Sequence, residues 1–174
     1  MTFAGAGCGP ANRWRALAAG VVLCLTTFRG LAANPCPFGT WADFMVGSYH
    51  VNPQKHFEDF NPGIGVECNF KPAWAASAGY FRNSLLRPSF YAGAVYAPES
   101  LHWGSIRLGA MGGVISGYNY GRFGVGENHR TGLVLTPSAI LNFGRFGANI
   151  ILVPPIPPDH LPLTIGLQAK LRFH

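Results

Sequence analysis

The sequence predicts an all-β protein, an eight-stranded antiparallel up-and-down transmembrane β-barrel, on three observations. Of its 174 residues, 48% are hydrophobic and only 11% are charged, whereas soluble domains carry about 25% charged residues. Its 23 Gly, 14 Pro and 13% aromatic residues disfavour helices and favour strands joined by turns. Apolar and polar residues also alternate with the period of two that a strand requires. This composition excludes a disordered chain and argues against an ordinary soluble enzyme.

The N-terminal segment resembles a targeting sequence. Arg13 and Arg15 precede an apolar run at residues 16–25, and small residues follow at 30–33. This order is typical of a secretory signal peptide, and the run is shorter than the roughly 20 residues that a membrane helix needs. We therefore expect residues 1–33 to be removed and residues 34–174 to form one outer-membrane β-barrel. Ten basic and seven acidic residues then remain, and this net charge of +3 is too small to indicate nucleic-acid binding.

The last strand shows the alternation most clearly. One face carries only apolar residues and the other carries polar residues or glycine; the apolar set is Leu163, Ile165, Leu167, Ala169, Leu171 and Phe173. A membrane barrel turns its apolar face outward, whereas a soluble barrel turns it inward. A closing strand that ends in Phe resembles the signal that outer-membrane barrels present to their assembly machinery, although His174 follows here. We therefore expect a protein of the outer membrane of a Gram-negative cell, inserted by that machinery.

Seven further segments have the length that a tilted strand needs to cross a bilayer. The eight predicted strands are residues 42–51, 63–70, 73–83, 89–97, 105–115, 133–142, 145–153 and 163–173. An even number returns the C-terminus to the periplasm, where the N-terminus also begins. The connections at 52–62, 84–88, 116–132 and 154–162 are then external, and three of these four are long, as expected for barrels of this class.

Cys36 and Cys68 fall on the same side of this topology, before the first strand and at the end of the second. An exported chain meets an oxidising compartment, so a disulfide is a candidate, and two unpaired thiols are the alternative. His50 and His56 are six residues apart with no cysteine nearby, which is a weak pattern for a metal site. We expect no metal and no cofactor.

Polar side chains cluster at the external strand ends. His50 ends the first strand, and Arg82, Asn83 and Ser84 end the third. Half of the positive charge that remains after the leader also falls on this rim, at Lys55, Arg82, Arg87, Arg122 and Arg130. Arginine binds phosphate strongly, so the rim is a candidate site for the phosphates of lipopolysaccharide; the alternative is a set of solvated loop residues.

Three stretches resemble the outer-membrane lipid A palmitoyltransferase family. Residues 134–154 are similar to that family's sixth and seventh strands; their sequence is VLTPSAILNFGRFGANIILVP. Pro137 and Pro154 match the two prolines that the family has in these strands. AGYFRNSLLRP at 78–88 is similar to its third strand and following loop. NPGIGV at 61–66, which contains Pro62, is similar to its second strand.

The resemblance implies an eight-stranded barrel that moves a palmitoyl chain from a phospholipid to lipid A. In that family the interior holds the chain, and prolines weaken strand pairing so that lipid enters sideways; Pro62, Pro137 and Pro154 match here. A histidine in the first external loop and an Asp-Ser pair in the second carry the chemistry. Ser84 matches the serine, whereas Asn83 stands where the aspartate belongs. His50 is the preferred histidine and His56 the alternative.

The residues themselves support this chemistry only in part. A histidine can accept the proton of an attacking hydroxyl, and Ser84 or a loop amide can stabilise the oxyanion. Asn83 cannot supply the charge that orients an imidazole, so Glu58 or Asp59 is the candidate replacement. Asn-Ser is equally typical of a tight turn. Likewise, inward glycines at 79, 93, 109, 147 and 166 leave space for an acyl chain or simply permit coiling.

Two further interpretations remain. The first is a non-enzymatic barrel that stabilises the membrane, binds lipopolysaccharide or acts as a surface receptor. The second is a secreted soluble barrel of the lipocalin type. In the leading interpretation the partners are lipid A and phospholipid, and the protein is a monomer.

Overall fold

Eight long antiparallel strands close into a barrel in the computed structural model, which describes residues 34–126 and 128–173. They are β1 (Thr40–His50), β2 (Phe60–Lys71), β3 (Trp74–Arg82), β4 (Pro88–Tyr96), β6 (Ile106–Ser116), β7 (Thr131–Phe143), β8 (Phe146–Val153) and β9 (Thr164–Arg172), and the two-residue β5 (His102–Trp103) pairs with β6. β9 pairs with β1 and β4 pairs with β6, which completes the circle. The predicted all-β, eight-stranded antiparallel barrel is confirmed. The predicted signal peptide, residues 1–33, lies outside the described residues.

Four strands begin earlier than the sequence predicted. β1 begins at Thr40 rather than at residue 42, and β4 begins at Pro88 rather than at 89. β2 begins at Phe60 rather than at residue 63, and β7 begins at Thr131 rather than at 133. Pro62 lacks the backbone N–H that a ladder bond uses. The strand continues through Pro62 because its pairing with β3 begins only at Gly63, so no ladder bond to β3 is lost there.

Side chains alternate between the interior and the exterior as the sequence predicted. In β9, Thr164 and Gln168 are buried inside the barrel, whereas Ile165 and Leu167 are exposed outside it. The exterior is therefore apolar along most strands. Its most exposed large aliphatic residues are Leu133 and Leu135 of β7, at 77% and 68% exposure.

The two ends of the barrel differ. The lower end carries two-residue turns at 72–73 and 144–145 and a longer connection, 97–105, that contains β5. The upper end carries the connections 51–59, 83–87, 117–130 and 154–163. At the upper end a buried aromatic and aliphatic cluster closes the barrel; it joins Phe57, Tyr118, Tyr120, Ile156 and Leu161 from these loops to Phe81 and Tyr91 inside. An ion pair between Arg87 and Asp159 (3.4 Å) ties two of the loops together. The upper loops thus form a packed cap.

No helix among the described residues is long and apolar enough to span a membrane. The helical segments described are three short 3₁₀ turns, at Glu99–Leu101, Gly121–Phe123 and Pro157–Asp159.

A disulfide joins Cys36 to Cys68 at the lower end. Their Cα atoms lie 5.1 Å apart, inside the range of about 4.4–6.8 Å that a disulfide requires. The bond fastens the segment before β1 to the end of β2.

Replacing both cysteines with serine is expected to lower the free energy of unfolding by about 3 kcal/mol, because the bond closes a loop of roughly 30 residues in the unfolded chain. Urea unfolding of the purified barrel with and without reductant measures this effect. The double variant serves as the control, since reductant should not move its midpoint. Equal midpoints for the oxidised and reduced natural chain would contradict the prediction.

Candidate active site

A buried histidine lies at the upper end of β1. His50 is only 5% exposed, its ring stacks on Phe57 with centroids 4.7 Å apart, and its Nδ1 lies 3.1 Å from Oδ1 of Asp59. A carboxylate only accepts hydrogen bonds, so Nδ1 carries the proton and donates it. In the neutral ring Nε2 then holds the lone pair, and this buried atom has no hydrogen-bond partner among the described residues.

Asp59 therefore supplies the carboxylate that Asn83 cannot. The sequence left Glu58 and Asp59 open, and the structure separates them, because a carboxylate oxygen of Glu58 accepts a hydrogen bond from the backbone N–H of Phe60 instead (3.3 Å). His56 is exposed, whereas His50 is buried. The geometry therefore favours His50 over His56.

A cluster of hydroxyl and amide groups lies one inward position below His50. Ser48 Oγ donates to Oδ1 of Asn61 (2.5 Å) and lies 3.2 Å from Oγ of Ser84. Because the Ser48 proton goes to Asn61, Ser84 is the donor in the contact between the two serines. Asn61 Nδ2 in turn donates to Ser84 Oγ (3.5 Å). We call Ser48, Asn61, Ser84 and the adjacent Tyr118 the hydroxyl cluster.

Tyr118 completes the hydroxyl cluster from the loop after β6. Burial raises the pKa of its phenol to about 12, and hydrogen bonds with Ser84 oppose this rise only in part. Tyr118 therefore keeps its proton at neutral pH and can donate it in a hydrogen bond. All four members of the cluster line one internal cavity.

The sequence identified Ser84 as a site residue but assigned no role in the site to Ser48, Asn61 or Tyr118. A signal for Ser48 was present, because it lies two residues before His50 and therefore on the same face of the strand. Nothing local indicated Asn61 or Tyr118, whose positions depend on pairing with β1 and on the fold of a long loop.

Asn83 is a turn residue in this structure. Its Oδ1 accepts the backbone N–H groups of Leu85 (2.9 Å) and Arg87 (3.0 Å), and its Nδ2 donates to Ser89 Oγ (2.9 Å) and to the carbonyl of Gly117 (3.2 Å). The side chain is fully buried. The sequence left open whether Asn83 serves a turn or the catalytic site. These four hydrogen bonds assign Asn83 to the turn, and they leave its side chain no bond to His50.

Changing Asn83 to aspartate, the residue of the resembling family, is expected to destabilise the barrel by about 2 kcal/mol or more, because both donated bonds are lost and a charge is buried. The same change at exposed Asn128 should cost less than about 0.5 kcal/mol. Urea midpoints of the two variants measure the difference. An Asn83→Asp protein as stable as the natural one would contradict the assigned role.

An apolar cavity of about 90 Å³ extends from the hydroxyl cluster into the barrel. The apolar side chains that line it are Met45, Phe81, Tyr91, Met111, Ile115, Val134, Ile151, Val153 and Leu161. The cap closes it above. Below, Tyr91 and Gln168 meet across the barrel, where Gln168 Nε2 donates to the Tyr91 hydroxyl (3.0 Å), and this contact forms the floor.

The inward glycines have different roles. Tyr91 reaches the floor because Gly65 and Gly79 leave room for its ring: a Cβ at Gly79 would lie 2.6 Å from that ring, and one at Gly65 would collide with its hydroxyl. The sequence analysis expected the inward glycines to leave room for an acyl chain, but the ring of Tyr91 fills the room beside Gly79. Gly166 lines the cavity, whereas Gly93, Gly109 and Gly147 face neighbouring protein atoms.

The barrel wall opens between β7 and β8. Their pairing stops at Ser138 and Ile151, although β7 continues upward to Thr131. Pro137 is the first β7 residue above the last pair, and Pro154 follows the end of β8, so two missing N–H groups flank the gap. A surface groove of about 200 Å³ covers the gap from outside, and it shares Val134 and Val153 with the internal cavity. These two valines separate the groove from the cavity.

The five rim cations are not equivalent. Arg87 is half-buried and binds Asp159 (3.4 Å) and the carbonyl of Gly117 (3.4 Å), so it holds the cap together. Lys55, Arg82, Arg122 and Arg130 are exposed. Lys55 lies over the ring of Phe57 at 5.2 Å, beside the histidine.

No protein-family model and no curated protein matches this sequence. In the described part of the chain, no three His, Cys, Asp or Glu side chains lie where they could jointly hold a metal ion. The geometry alone therefore supports the functional conclusion.

Proposed function

We propose that the protein is an outer-membrane acyltransferase that moves an acyl chain from a phospholipid to lipid A. The observation that carries this proposal is an apolar cavity that ends at the hydroxyl cluster, one inward position from the buried His50–Asp59 pair. A histidine oriented by a carboxylate can act as the general base that acyl transfer requires. Transfer of an acyl chain needs both the apolar cavity and the base.

The exterior of the barrel supports a place in the membrane. Transmembrane barrels carry an apolar outer band flanked by aromatic girdles. Exposed aromatic side chains occur near both ends here: Tyr49, Phe60, Tyr80 and Phe90 toward the upper end, and Phe70, Trp74, Tyr96, Trp103, Phe143 and Phe146 toward the lower end. The outer membrane is the proposed location, reached after signal peptide removal and barrel assembly, and the protein acts there as a monomer.

The gap between β7 and β8 provides access for the donor chain. The cap closes the upper end, so a lipid chain reaches the cavity from the side, through the groove beside Leu133 and Leu135 and between Val134 and Val153. Pro62 lies just above the last β2–β3 pair, Gly63 with Phe81, but β3 itself ends at Arg82, so no comparable gap opens beside Pro62.

The chemistry follows from the orientation of His50. Nε2 accepts the proton of the lipid A hydroxyl as its oxygen attacks the ester carbonyl of the donor. The negative charge that develops on the carbonyl oxygen is stabilised by a hydrogen bond from the hydroxyl cluster, in which the phenol of Tyr118 is the donor not already used by Ser48, Asn61 or Ser84. The tetrahedral species then collapses, the donor C–O bond breaks, and the leaving alcohol takes the proton from His50. Neither a cofactor nor a metal takes part in these steps.

The exposed rim cations provide a site for the phosphates of lipid A. Lys55, Arg82, Arg122 and Arg130 surround the upper end, and arginine pairs with phosphate through charge-assisted hydrogen bonds. Arg87 is excluded from this role because its guanidinium already binds Asp159. Replacing Arg87 with a neutral residue should therefore lower the free energy of unfolding. Replacing Arg122 with a neutral residue should instead lower the affinity for lipid A.

Mass spectrometry of lipid A tests the proposal. Cells that produce the protein should contain lipid A heavier by one acyl chain than cells that lack it. A His50→Asn protein found in the outer membrane at the normal level should not cause this addition. Unchanged lipid A in the presence of correctly inserted natural protein would refute the enzymatic function.

A non-enzymatic barrel that binds lipopolysaccharide is the second candidate, because Asn83 replaces the family aspartate and serves the turn. It predicts that binding survives the loss of His50 and fails when the rim cations are neutralised. The lipid A spectrum separates it from the first candidate.

A further inference from the structure

A second apolar groove lies on the outer face of the barrel wall. In the strand register, Ala139 of β7 lies between Leu108 of β6 and Ile150 of β8, and Ala110 of β6 is the neighbour of Pro137 of β7. All five residues line the groove, so short alanine side chains form its base between larger neighbours. Its volume is about 570 Å³, within the range of about 300–1,000 Å³ that is typical of ligand-binding clefts. We call it the lower groove.

The lower groove continues the gap between β7 and β8. Pro137 and Leu152, which stand directly above the last β7–β8 pair, line the lower groove. Leu135 and Val153, which lie above them on the same two strands, line the groove that covers the gap. In the other direction the lower groove reaches Leu101, in the connection at the lower end of the barrel. One apolar path therefore runs down the outer wall from the gap to the lower end.

The chemistry and shape of the lower groove favour a hydrocarbon chain as its occupant. No charged side chain of the described residues lines it, and it lies on the face that the proposed function places in the membrane. A second copy of the barrel would present a convex face, which touches the sides of a groove and leaves its base empty. A flexible acyl chain can instead follow the base past Ala110 and Ala139.

The donor lipid carries such a chain to this place. A phospholipid holds two acyl chains on neighbouring carbons of one glycerol. When one chain passes between Val134 and Val153 into the interior cavity, the other stays outside the wall, next to the gap, where the lower groove begins. We propose that the lower groove binds this second chain. The inference rests on the proposed function for the path of the first chain, and it adds that the donor is a two-chain phospholipid rather than a lysophospholipid.

Binding of ether lipids tests the lower groove without catalysis, because an ether-linked chain cannot be transferred. Native mass spectrometry in detergent measures the affinity for a two-chain ether phospholipid and for a one-chain ether lipid with the same headgroup. The natural protein should bind the two-chain lipid about tenfold more tightly, because two attachments of one molecule reinforce each other.

Variants of the wall locate the second attachment. Ala139→Trp fills the base of the lower groove and should remove the tenfold difference between the two lipids, and Ala110→Phe provides a second variant should the first fail to fold. Ala78→Trp is the matched control, because Ala78 is an exposed residue of β3 that lies between Val66 and Ala92, outside the lower groove. It should keep the difference.

Each outcome decides the proposal. A preference for the two-chain lipid in the natural and Ala78→Trp proteins, absent from the groove variants, supports it. Equal affinity of the natural protein for both lipids, or a preference that survives in folded groove variants, would overturn it. Transfer from the corresponding ester lipids is measured in parallel. Transfer without the preference would refute the lower groove alone, whereas the preference without transfer would support the lower groove and refute the enzymatic function.

Discussion

Replacing His50 with asparagine is expected to lower the rate of acyl transfer by about 10³-fold, within the range that general-base catalysis contributes. The amide of asparagine hydrogen-bonds but cannot accept a proton at neutral pH. The barrel should remain folded, because the change removes one ring from the cap and leaves the strand register intact. The rate is measured with purified protein, a labelled phospholipid donor and lipid A in mixed micelles.

A variant of Asp59, the partner of His50, is compared with the His50 variant in the same assay. Asp59→Asn keeps a side chain of the same size but removes the charge that orients the imidazole and stabilises its protonated form, so the rate should fall by about 10²-fold. The effect is smaller than for His50 because the Asp59 side chain is 76% exposed and water partly replaces it. Glu58→Gln is the matched control, since that carboxylate faces Phe60, and it should leave the rate unchanged. Equal losses at Glu58 and Asp59 would contradict the assigned pair.

Replacing Val134 with tryptophan is expected to abolish transfer by filling the passage between the groove and the cavity. Val134 lines both spaces, and the indole ring is much larger than the valine side chain. Overpacking should cost about 1–3 kcal/mol of stability, so the melting temperature is recorded with the rate.

Leu133 provides the matched control for this change. It is the neighbouring residue, and its side chain points away from the interior with 77% exposure. Leu133→Trp should preserve the rate and the melting temperature. Full activity in a folded Val134→Trp protein would show that the chain does not pass between β7 and β8.

The strand pattern was predictable because it is local. Alternation in residues 163–173 defined which face of β9 is apolar, and the positions of His50 and Ser84 at the upper end follow from counting strands. Pro137 and Pro154 also lie where pairing between β7 and β8 stops, since a missing N–H removes a ladder bond in any antiparallel sheet, whereas Pro62 does not interrupt a pairing with β3.

The chemistry of the site was less predictable because it depends on contacts between distant segments. Asp59 meets His50 only because the first loop folds back over Phe57, and Asn61 meets Ser48 only through the register of β1 with β2. Tyr118 reaches Ser84 from a loop that follows β6. Asn83 stands at the position of a catalytic residue in the family that the sequence resembles. In this structure every hydrogen bond of its side chain is made within the turn or to Ser89 and Gly117.

The central claim is that one acyl chain enters from the side and lies in the interior cavity, with its end at the Tyr91–Gln168 floor. A phospholipid with a photoreactive diazirine at the end of one acyl chain tests this claim most directly, when it is crosslinked to the reconstituted protein and the modified residues are located by mass spectrometry. The account predicts adducts on Tyr91, Met111 or Ile151 inside the barrel. Adducts confined to outward residues such as Leu135 and Ile165 would contradict it.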